Sequence, residues 1–286
     1  MGEYVKVESV EEAQRSLREE TSATVVAGGQ EVTLDLRQGS IDPRVLVDIS
    51  DVDALNEIAH TADGLRVGSC VTYRDLERDK DIRAEYPTLV ETIEGIAGPQ
   101  VRNNGTLGGA LCDADPVFDA PTVLLALDAS VTLSADETAR TVPLSEFYTS
   151  EGETVLADEE LLTSILVPTP PARSAGAYRS MTPRQGDSTV AGVAVRLVRG
   201  DDTACRRARI ALTNGAPMPR RVPSAEAALA GTTLDEEHIE RAANAIRDAL
   251  ELPDDLRSAS YRETVFGRLA GRAIRDARDG LPEVKP

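Results

Sequence analysis

The 286 residues carry 49 acidic against 31 basic side chains, for a formal net charge of −18. Nucleic acid is bound through cationic stripes, so a surface this acidic excludes that role. A hydrophobic share of 41% suffices for one large core or two smaller ones, but aromatics are only 3% and tryptophan is absent, so the cores must be built from Val, Leu, Ile and Ala. In chain order, Val10–Glu20 has the spacing of a first helix, with Ser9 as N-cap and Glu12 completing a capping box. Ala23–Ala27 and Val45–Ile49 read as strands, Leu65–Gly68 as a strand leading to a turn, and Tyr73–Asp79 as a helix. Tyr86–Ala97 is a helix stopped by Gly98-Pro99, Pro121–Leu127 another, Ser130–Ser134 a strand and 142–144 an edge. The proline-rich run Val167–Ala172 must be extended and marks a boundary. Behind it Gly176–Ser180, Val190–Val198 and Ala208–Thr213 alternate like antiparallel strands. Leu234–Leu250, introduced by Thr233, and Tyr261–Arg278 are amphipathic helices. The layout is α+β, without internal repeats.

The charge admits two readings, an ordinary acidic protein or one from a halophile, in which high salt screens the self-repulsion. Lys6, Lys80 and Lys285 are the only lysines, and this near-replacement of lysine favours the halophile. No apolar run approaches the ~18–20 residues that span a bilayer, and the acidic N-terminal segment lacks a hydrophobic signal core, so a cytoplasmic location is expected. Cys70, Cys112 and Cys205 form no CxxC pair, and His60 and His238 stand alone, so neither a metal site nor an iron–sulfur cluster is expected on this chain.

Two glycine turns stand out. One is Ala27-Gly28-Gly29-Gln30, after an apolar strand; the other is Gly105-Thr106-Leu107-Gly108-Gly109, a few residues ahead of Asp113, Asp115 and Asp119. Taken alone, each reads first as an ordinary tight turn. The second lacks the Lys and Ser/Thr of a P-loop, and the first lacks the third glycine of a Rossmann turn. Glycines at positive φ, with successive amides forming an anion nest, would let the pair hold one diphosphate between them.

The two turns, with Leu46-Val47-Asp48-Ile49, Arg66-Val67-Gly68-Ser69-Cys70-Val71-Thr72, Asp115-Pro116 and Asp119-Ala120-Pro121, follow one another in a family order. Leu161-Leu162-Thr163-Ser164-Ile165, Gly186-Asp187 and Ala208-Arg209-Ile210-Ala211-Leu212-Thr213-Asn214 continue it. In this pattern the chain resembles the FAD-binding medium subunit of molybdenum hydroxylases, as found in aerobic carbon monoxide dehydrogenase and bacterial xanthine dehydrogenase. The resemblance implies a two-lobed FAD-binding domain of the vanillyl-alcohol-oxidase (PCMH-like) type over 1–172, with lobes of about 1–57 and 58–172. A C-terminal α+β domain of antiparallel strands and helices, of the carbon monoxide dehydrogenase flavoprotein type, follows over 173–286.

What the resemblance implies for the site can be carried over residue by residue. Ala27, Gly28, Gly29, Gln30 and Glu31 would face the FAD diphosphate through main-chain amides, and Thr106, Gly108 and Gly109 would do so from the second turn, with Thr106 as a hydroxyl donor. Asp113, Asp115 and Asp119 would accept from ribose or ribityl hydroxyls or from ring N–H groups, and Leu161 and Leu162 would cover the adenine or isoalloxazine edge. On sequence alone the two leucines read equally as core residues at a helix end. The implied partners are a molybdopterin-binding large subunit and a [2Fe-2S] small subunit, as a dimer of heterotrimers, with NAD, a quinone or oxygen as acceptor. No catalytic residue is implied, because the redox chemistry belongs to the flavin. Departures from the pattern are Val32–Arg37, Thr24 for a lysine and Ser188 for an aromatic. A stand-alone FAD oxidase and a cofactor-free scaffold subunit are the rival readings.

Overall fold

The computed structural model describes residues 2–184, 186–201, 203–252 and 258–283. From the N-terminus the chain forms β1 (Glu3–Lys6), α1 (Val10–Glu19), β2 (Ala23–Val26), α2 (Gln30–Gln38) and β3 (Val45–Asp48). Next come β4 (Ile58–Thr61), β5 (Gly64–Gly68), α3 (Tyr73–Arg78), α4 (Lys80–Glu85), α5 (Pro87–Gly95), α6 (Pro99–Arg102), α7 (Leu107–Asp113) and α8 (Asp119–Ala126). Strands β6 (Ser130–Ala135), β7 (Thr138–Pro143), β8 (Tyr148–Ser150), β9 (Glu153–Thr154) and β10 (Leu161–Pro168) follow. The last part holds β11 (Ser174–Met181), β12 (Ala191–Arg199), β13 (Cys205–Thr213), β14 (Arg220–Arg221), α9 (Pro223–Leu229), α10 (Glu236–Asp248) and α11 (Ala259–Asp279). These elements gather into two compact units that do not follow chain order. The first is Met1–Arg83, Gly98–Ala114 and Ala129–Pro168; the second is Ala84–Ala97, Asp115–Asp128 and Thr169–Pro286.

The first unit has a parallel sheet of order β1-β3-β2 and an antiparallel sheet of order β4-β5-β10-β6-β7. Its N-terminal core joins Val45, Val47 and Ile49 to Ala13 of α1, Leu55, Cys70 and Leu161. At the start of α1 the Glu12 amide donates to Ser9 Oγ at 3.2 Å, while the Glu8 amide, rather than that of Ser9, donates to Glu12 Oε2 at 2.9 Å. The reciprocal half of the expected capping box therefore closes one residue early. Residues 30–38 form a helix that the sequence reading did not assign. None of them is buried, so no apolar stripe marks the helix in the sequence.

The second unit is a four-stranded antiparallel sheet, β11-β12-β13-β14. On one face Val193, Val195, Leu197, Ile210 and Leu212 pack with Ile239, Ile246, Phe266 and Ile274 of the terminal helices. The other face of β12 and β13 meets α8, whose residues Ala120 to Ala126 are buried on every side, as a helix without a polar stripe must be. Strand β12 is thus covered on both faces: Ala191 to Val198 are all buried, Arg196 among them, so the in-and-out alternation expected of this segment is absent. Helix α10 starts two residues later than expected: its N-cap is Asp235, which accepts from the His238 amide, and Thr233 Oγ1 only supports that carboxylate at 3.2 Å.

Beyond α8 the chain turns at Asp128, where φ is +56°. Arg196, 5% exposed, donates to the Leu127 carbonyl at 3.0 Å and to Asp128 Oδ2 at 2.5 Å. Arg209 and Arg221 reach Asp128 Oδ1 at 2.6 and 3.2 Å, and Arg221 also binds Glu226 through Nε at 2.7 Å. Cations at a helix C-terminus complement its dipole, while burial pulls the Arg196 guanidinium below its ordinary range and Asp128 opposes that pull. Asp128→Ala should therefore destabilise the protein by about 3 kcal/mol, because it strands a buried guanidinium. Urea denaturation followed by circular dichroism checks this; a loss near that of an exposed pair, about 0.5 kcal/mol, would mean the cluster is solvated surface.

Candidate functional site

The first glycine turn leaves β2 at Ala27 and enters α2. Gly28 has no Cβ for a clear reason: one built there would overlap the Asn104 carbonyl oxygen and lie 2.7 Å from its carbon. The two glycine turns are therefore locked main chain to main chain, a contact for which the sequence offered no direct signal. Gly29 takes the left-handed conformation (φ +64°, ψ +15°) and is the N-cap of α2, with no side chain capping the helix. The amides of a helix's first turn have no intrahelical acceptors and sit at its positive end. Gln30 turns its side chain inward and donates to the Gly28 carbonyl at 3.2 Å. Ala27 and Glu31 flank the turn, half-buried.

The second turn differs from expectation. It is the start of α7, and Thr106 is its N-cap, accepting from the Gly109 amide at 3.1 Å. The Leu107 amide donates to the Val71 carbonyl and that of Gly108 to the Ser69 carbonyl, both at 3.0 Å. No open nest of amides exists at 107–109, and neither Gly108 nor Gly109 has positive φ, because this segment is sewn to 69–71 and continues as a helix. Gly108 is required for packing: a Cβ would lie 2.5 Å from Ser69 Cβ. Gly109 is exposed, and its Cβ would meet only Thr106 Oγ1, at 2.8 Å. The Thr106 oxygen acts as an acceptor toward Gly109, which leaves the hydroxyl proton to donate elsewhere.

Asp113 closes α7, ahead of Ala114 in the left-handed conformation. Asp115, in the second unit, accepts from the Val117 amide at 2.9 Å, an Asx turn leading into α8. Leu161 and Leu162 are not at a helix end: they open β10, paired with Ser134 and Leu133 of β6, and both are buried. Cys112 lies in α7, where burial pushes its thiol up to about 12. Asp119, also in the second unit, stands in the first turn of α8, where its carboxylate accepts from the hydroxyls of Tyr178 and, at 3.1 Å, Thr189. Burial raises its pKa against those donors. Neither Tyr178 nor Thr189 was among the expected site residues; Ser188, in the place of the family's aromatic, is exposed.

Residues 1–170 match the FAD binding domain in molybdopterin dehydrogenase, and residues 176–277 match the CO dehydrogenase flavoprotein C-terminal domain. The chain belongs to the FAD-binding medium-subunit family of molybdopterin dehydrogenases. It is 34% identical over 277 residues to the 6-hydroxypseudooxynicotine dehydrogenase complex subunit alpha of Paenarthrobacter nicotinovorans, with 96% of this chain and 94% of that one covered. Identity is 31% over 277 residues to the carbon monoxide dehydrogenase medium chain of Hydrogenophaga pseudoflava, covering 96% of both. Among solved structures, carbon monoxide dehydrogenase from the same organism, lacking the Mo-pyranopterin moiety of its molybdenum cofactor, aligns with a TM-score of 0.95 at 32% identity over 98% of each chain. The family makes this chain an oxidoreductase subunit that carries FAD and works within a complex.

The first unit's chemistry fits a flavin dinucleotide. A diphosphate requires N–H donors and positive potential, and the uncapped start of α2, locked beside the second turn, supplies both. The Thr106 hydroxyl adds one donor. Gly109→Val should abolish FAD binding and keep the fold, because the new side chain fills the exposed side of the turn. Gly108→Ala should instead cost about 2 kcal/mol of stability by driving a methyl into Ser69. Flavin absorbance of the purified variants and their thermal melts separate the two effects; full FAD occupancy in Gly109→Val would move the cofactor away from this turn.

Proposed function

We propose that the chain is the FAD-carrying electron-transfer subunit of a molybdenum hydroxylase complex. Its partners are a molybdopterin-binding large subunit, which oxidises the organic substrate, and a [2Fe-2S] small subunit that relays the electrons, assembled as a dimer of heterotrimers. The flavin supplies the chemistry of taking up two electrons and releasing them to an external acceptor, either NAD, a quinone or oxygen. The observation that carries this reading is the match to both family domains in a single chain, with relatives covered almost end to end that are named as subunits or medium chains. The cysteine count supports it, since a [2Fe-2S] cluster takes four thiolates and this chain has three cysteines in all.

In this reading the residues divide the work of holding the cofactor. Ala27, Gly28, Gly29, Gln30 and Glu31 form the main-chain cradle at the start of α2, facing the diphosphate. Thr106 donates its hydroxyl and Gly109 keeps that approach clear, while Gly108 lets the turn close against Ser69. Asp113, Asp115 and Asp119 accept from hydroxyls of the cofactor, and Leu161 and Leu162 line an apolar edge. The FAD-binding domain spans 1–172 and the flavoprotein C-terminal domain 173–286. Location is cytoplasmic, in a halophilic host; no helix among the described residues is long and apolar enough to cross a membrane.

Affinity purification of the chain from its native host should bring down one large molybdopterin protein and one small iron–sulfur protein. Alone, the chain should show slow diaphorase activity and no hydroxylation of aldehydes, purines or carbon monoxide. Turnover of an organic substrate by the isolated chain at an ordinary enzymatic rate, on the order of 10 per second, would overturn the subunit reading. The charge of −18 yields a separate expectation: the melting temperature should rise from dilute buffer to molar salt as carboxylate repulsion is screened. Equal melting temperatures would remove the halophile and leave the flavin assignment untouched.

A further inference from the structure

In the second unit the Asp119 carboxylate is held from two sides. On one side the Tyr178 hydroxyl donates to Oδ1, and the same phenol oxygen lies 2.9 Å from Thr213 Oγ1, itself 2.9 Å from Thr122 Oγ1. The sheet makes room for that hydroxyl. At Gly192 a Cβ would overlap the phenol oxygen and lie 2.9 Å from Thr213 Cβ. On the other side Thr189 Oγ1 donates to Oδ2 at 3.1 Å, and Thr189 is itself fixed by Asn214, whose Nδ2 donates to its carbonyl at 2.9 Å. Asn214 also ties its own amide to the Pro116 carbonyl at 2.6 Å, three residues before Asp119. The groups turned toward the carboxylate are thus hydroxyls, from β11, the β11–β12 hairpin and β13. The nearby cation on α11, Arg262, reaches Asn214 Oδ1 at 2.7 Å instead.

We propose that Tyr178 and Thr189 are positioning residues of the flavin site: they clamp the Asp119 carboxylate with its remaining lone pairs directed to hydroxyls of the bound cofactor, and they act only through Asp119. This rests on the reading that Asp119 is a FAD ligand. A carboxylate has about four acceptor positions; with Tyr178 and Thr189 donating and the Thr213 hydroxyl also acting on it, at least one is left for a ligand. A carboxylate with rotational freedom would have to be ordered at each binding event, whereas this one is ordered in advance. Burial also keeps the Tyr178 phenol protonated well above its ordinary range, so the donor is present at every working pH. Donation to the ionised form opposes the burial that would protonate Asp119, and removing a donor therefore makes the carboxylate harder to ionise.

The test is a double-mutant cycle on the full chain, stripped of flavin and titrated with FAD across a pH series by fluorescence quenching. Tyr178→Phe keeps the ring and removes the donor. It should raise the FAD Kd about tenfold, the effect of one hydrogen bond to a charged group, and move the acid limit of binding to higher pH. Asp119→Asn should weaken binding and flatten that pH dependence, and adding Tyr178→Phe to it should change little further. A Tyr178→Phe chain that binds FAD with wild-type affinity and pH dependence overturns the clamp while leaving Asp119 as a ligand. So does an equal loss from Tyr178→Phe with and without Asp119→Asn, which would mark an independent structural effect. An Asp119→Asn chain with wild-type binding and pH dependence removes Asp119 as a ligand, and the clamp with it. Near-ultraviolet circular dichroism reports whether each variant folds. Should Tyr178→Phe fail to fold, Thr189→Val enters the same cycle from the other side of the carboxylate, with the same expected and overturning results.

Discussion

The first unit depends on a contact that only glycine permits. The Gly28 main chain lies so close to the Asn104 carbonyl that any β-carbon would overlap it. Through that approach the segment between β2 and α2 is fixed against the segment between α6 and α7. The consequences spread from there. Gly105 accepts from the Tyr73 amide, and Thr72 bridges to Thr106, so the start of α3 is tied to the same point. Leu107 and Gly108 are bonded to 69–71, which lead out of β5. One steric constraint at one residue thus organises two sheets and three helix starts. It acts through sterics rather than through conformation, since the residue with positive φ is the neighbouring Gly29.

That distinction explains what was legible in the sequence. The paired glycines, their order and the strands ahead of them could be read, and so could most elements, because the valines and alanines of 191–198 or the helical spacing in 10–19 survive in the letters. The separate duties of the glycines could not. Gly29 serves conformation, Gly28 and Gly108 serve close approach, and Gly109 is exposed with only Thr106 Oγ1 beside it; all four look alike in a sequence. Helix α2 escaped notice because it buries no residue, and a helix that packs nothing leaves no apolar period. The strand at 161–168 was readable as apolar, but a short apolar run does not tell a strand from a helix end. Asp235 outranked Thr233 as a cap because the helix begins one residue after it, a boundary that spacing alone leaves loose.

The two ways of burying acid in the second unit follow from the same physics. Asp128 and Glu226 sit among Arg196, Arg209 and Arg221, where forked guanidinium groups satisfy several carboxylate lone pairs at once. A chain with three lysines draws on arginine for such places, and arginine suits them better, being planar and always charged. Asp119 is handled in the opposite manner, with hydroxyls and no hydrogen-bonded cation among its described partners. The first arrangement neutralises charge and fixes the end of α8. The second leaves the charge of the carboxylate available and sensitive to whatever else approaches it. Both aspartates belong to one helix, Asp128 just past the C-terminal end of α8 and Asp119 in its first turn.

The proposed flavin site is then built from unequal parts. At the second turn the amides of Leu107, Gly108 and Gly109 are already bonded within the protein, so they add little positive potential for a diphosphate. The first turn must supply most of it, through the uncapped start of a nine-residue helix. A helix this short and this unburied has little packing of its own to hold its axis, since isolated helices of such length are marginal in water. Its direction is set instead at its origin, by Gly29 and by the lock of Gly28 on Asn104. The acidic character of the chain sharpens the demand. With −18 overall, an anion meets net repulsion at long range, and attraction must come from oriented amides within a few ångströms, where the surrounding charge is screened and the dipoles are not. A main-chain cradle is the solution open to such a surface, so in the proposed site the glycines that shape it, rather than a lysine or an arginine, would carry the recognition of phosphate.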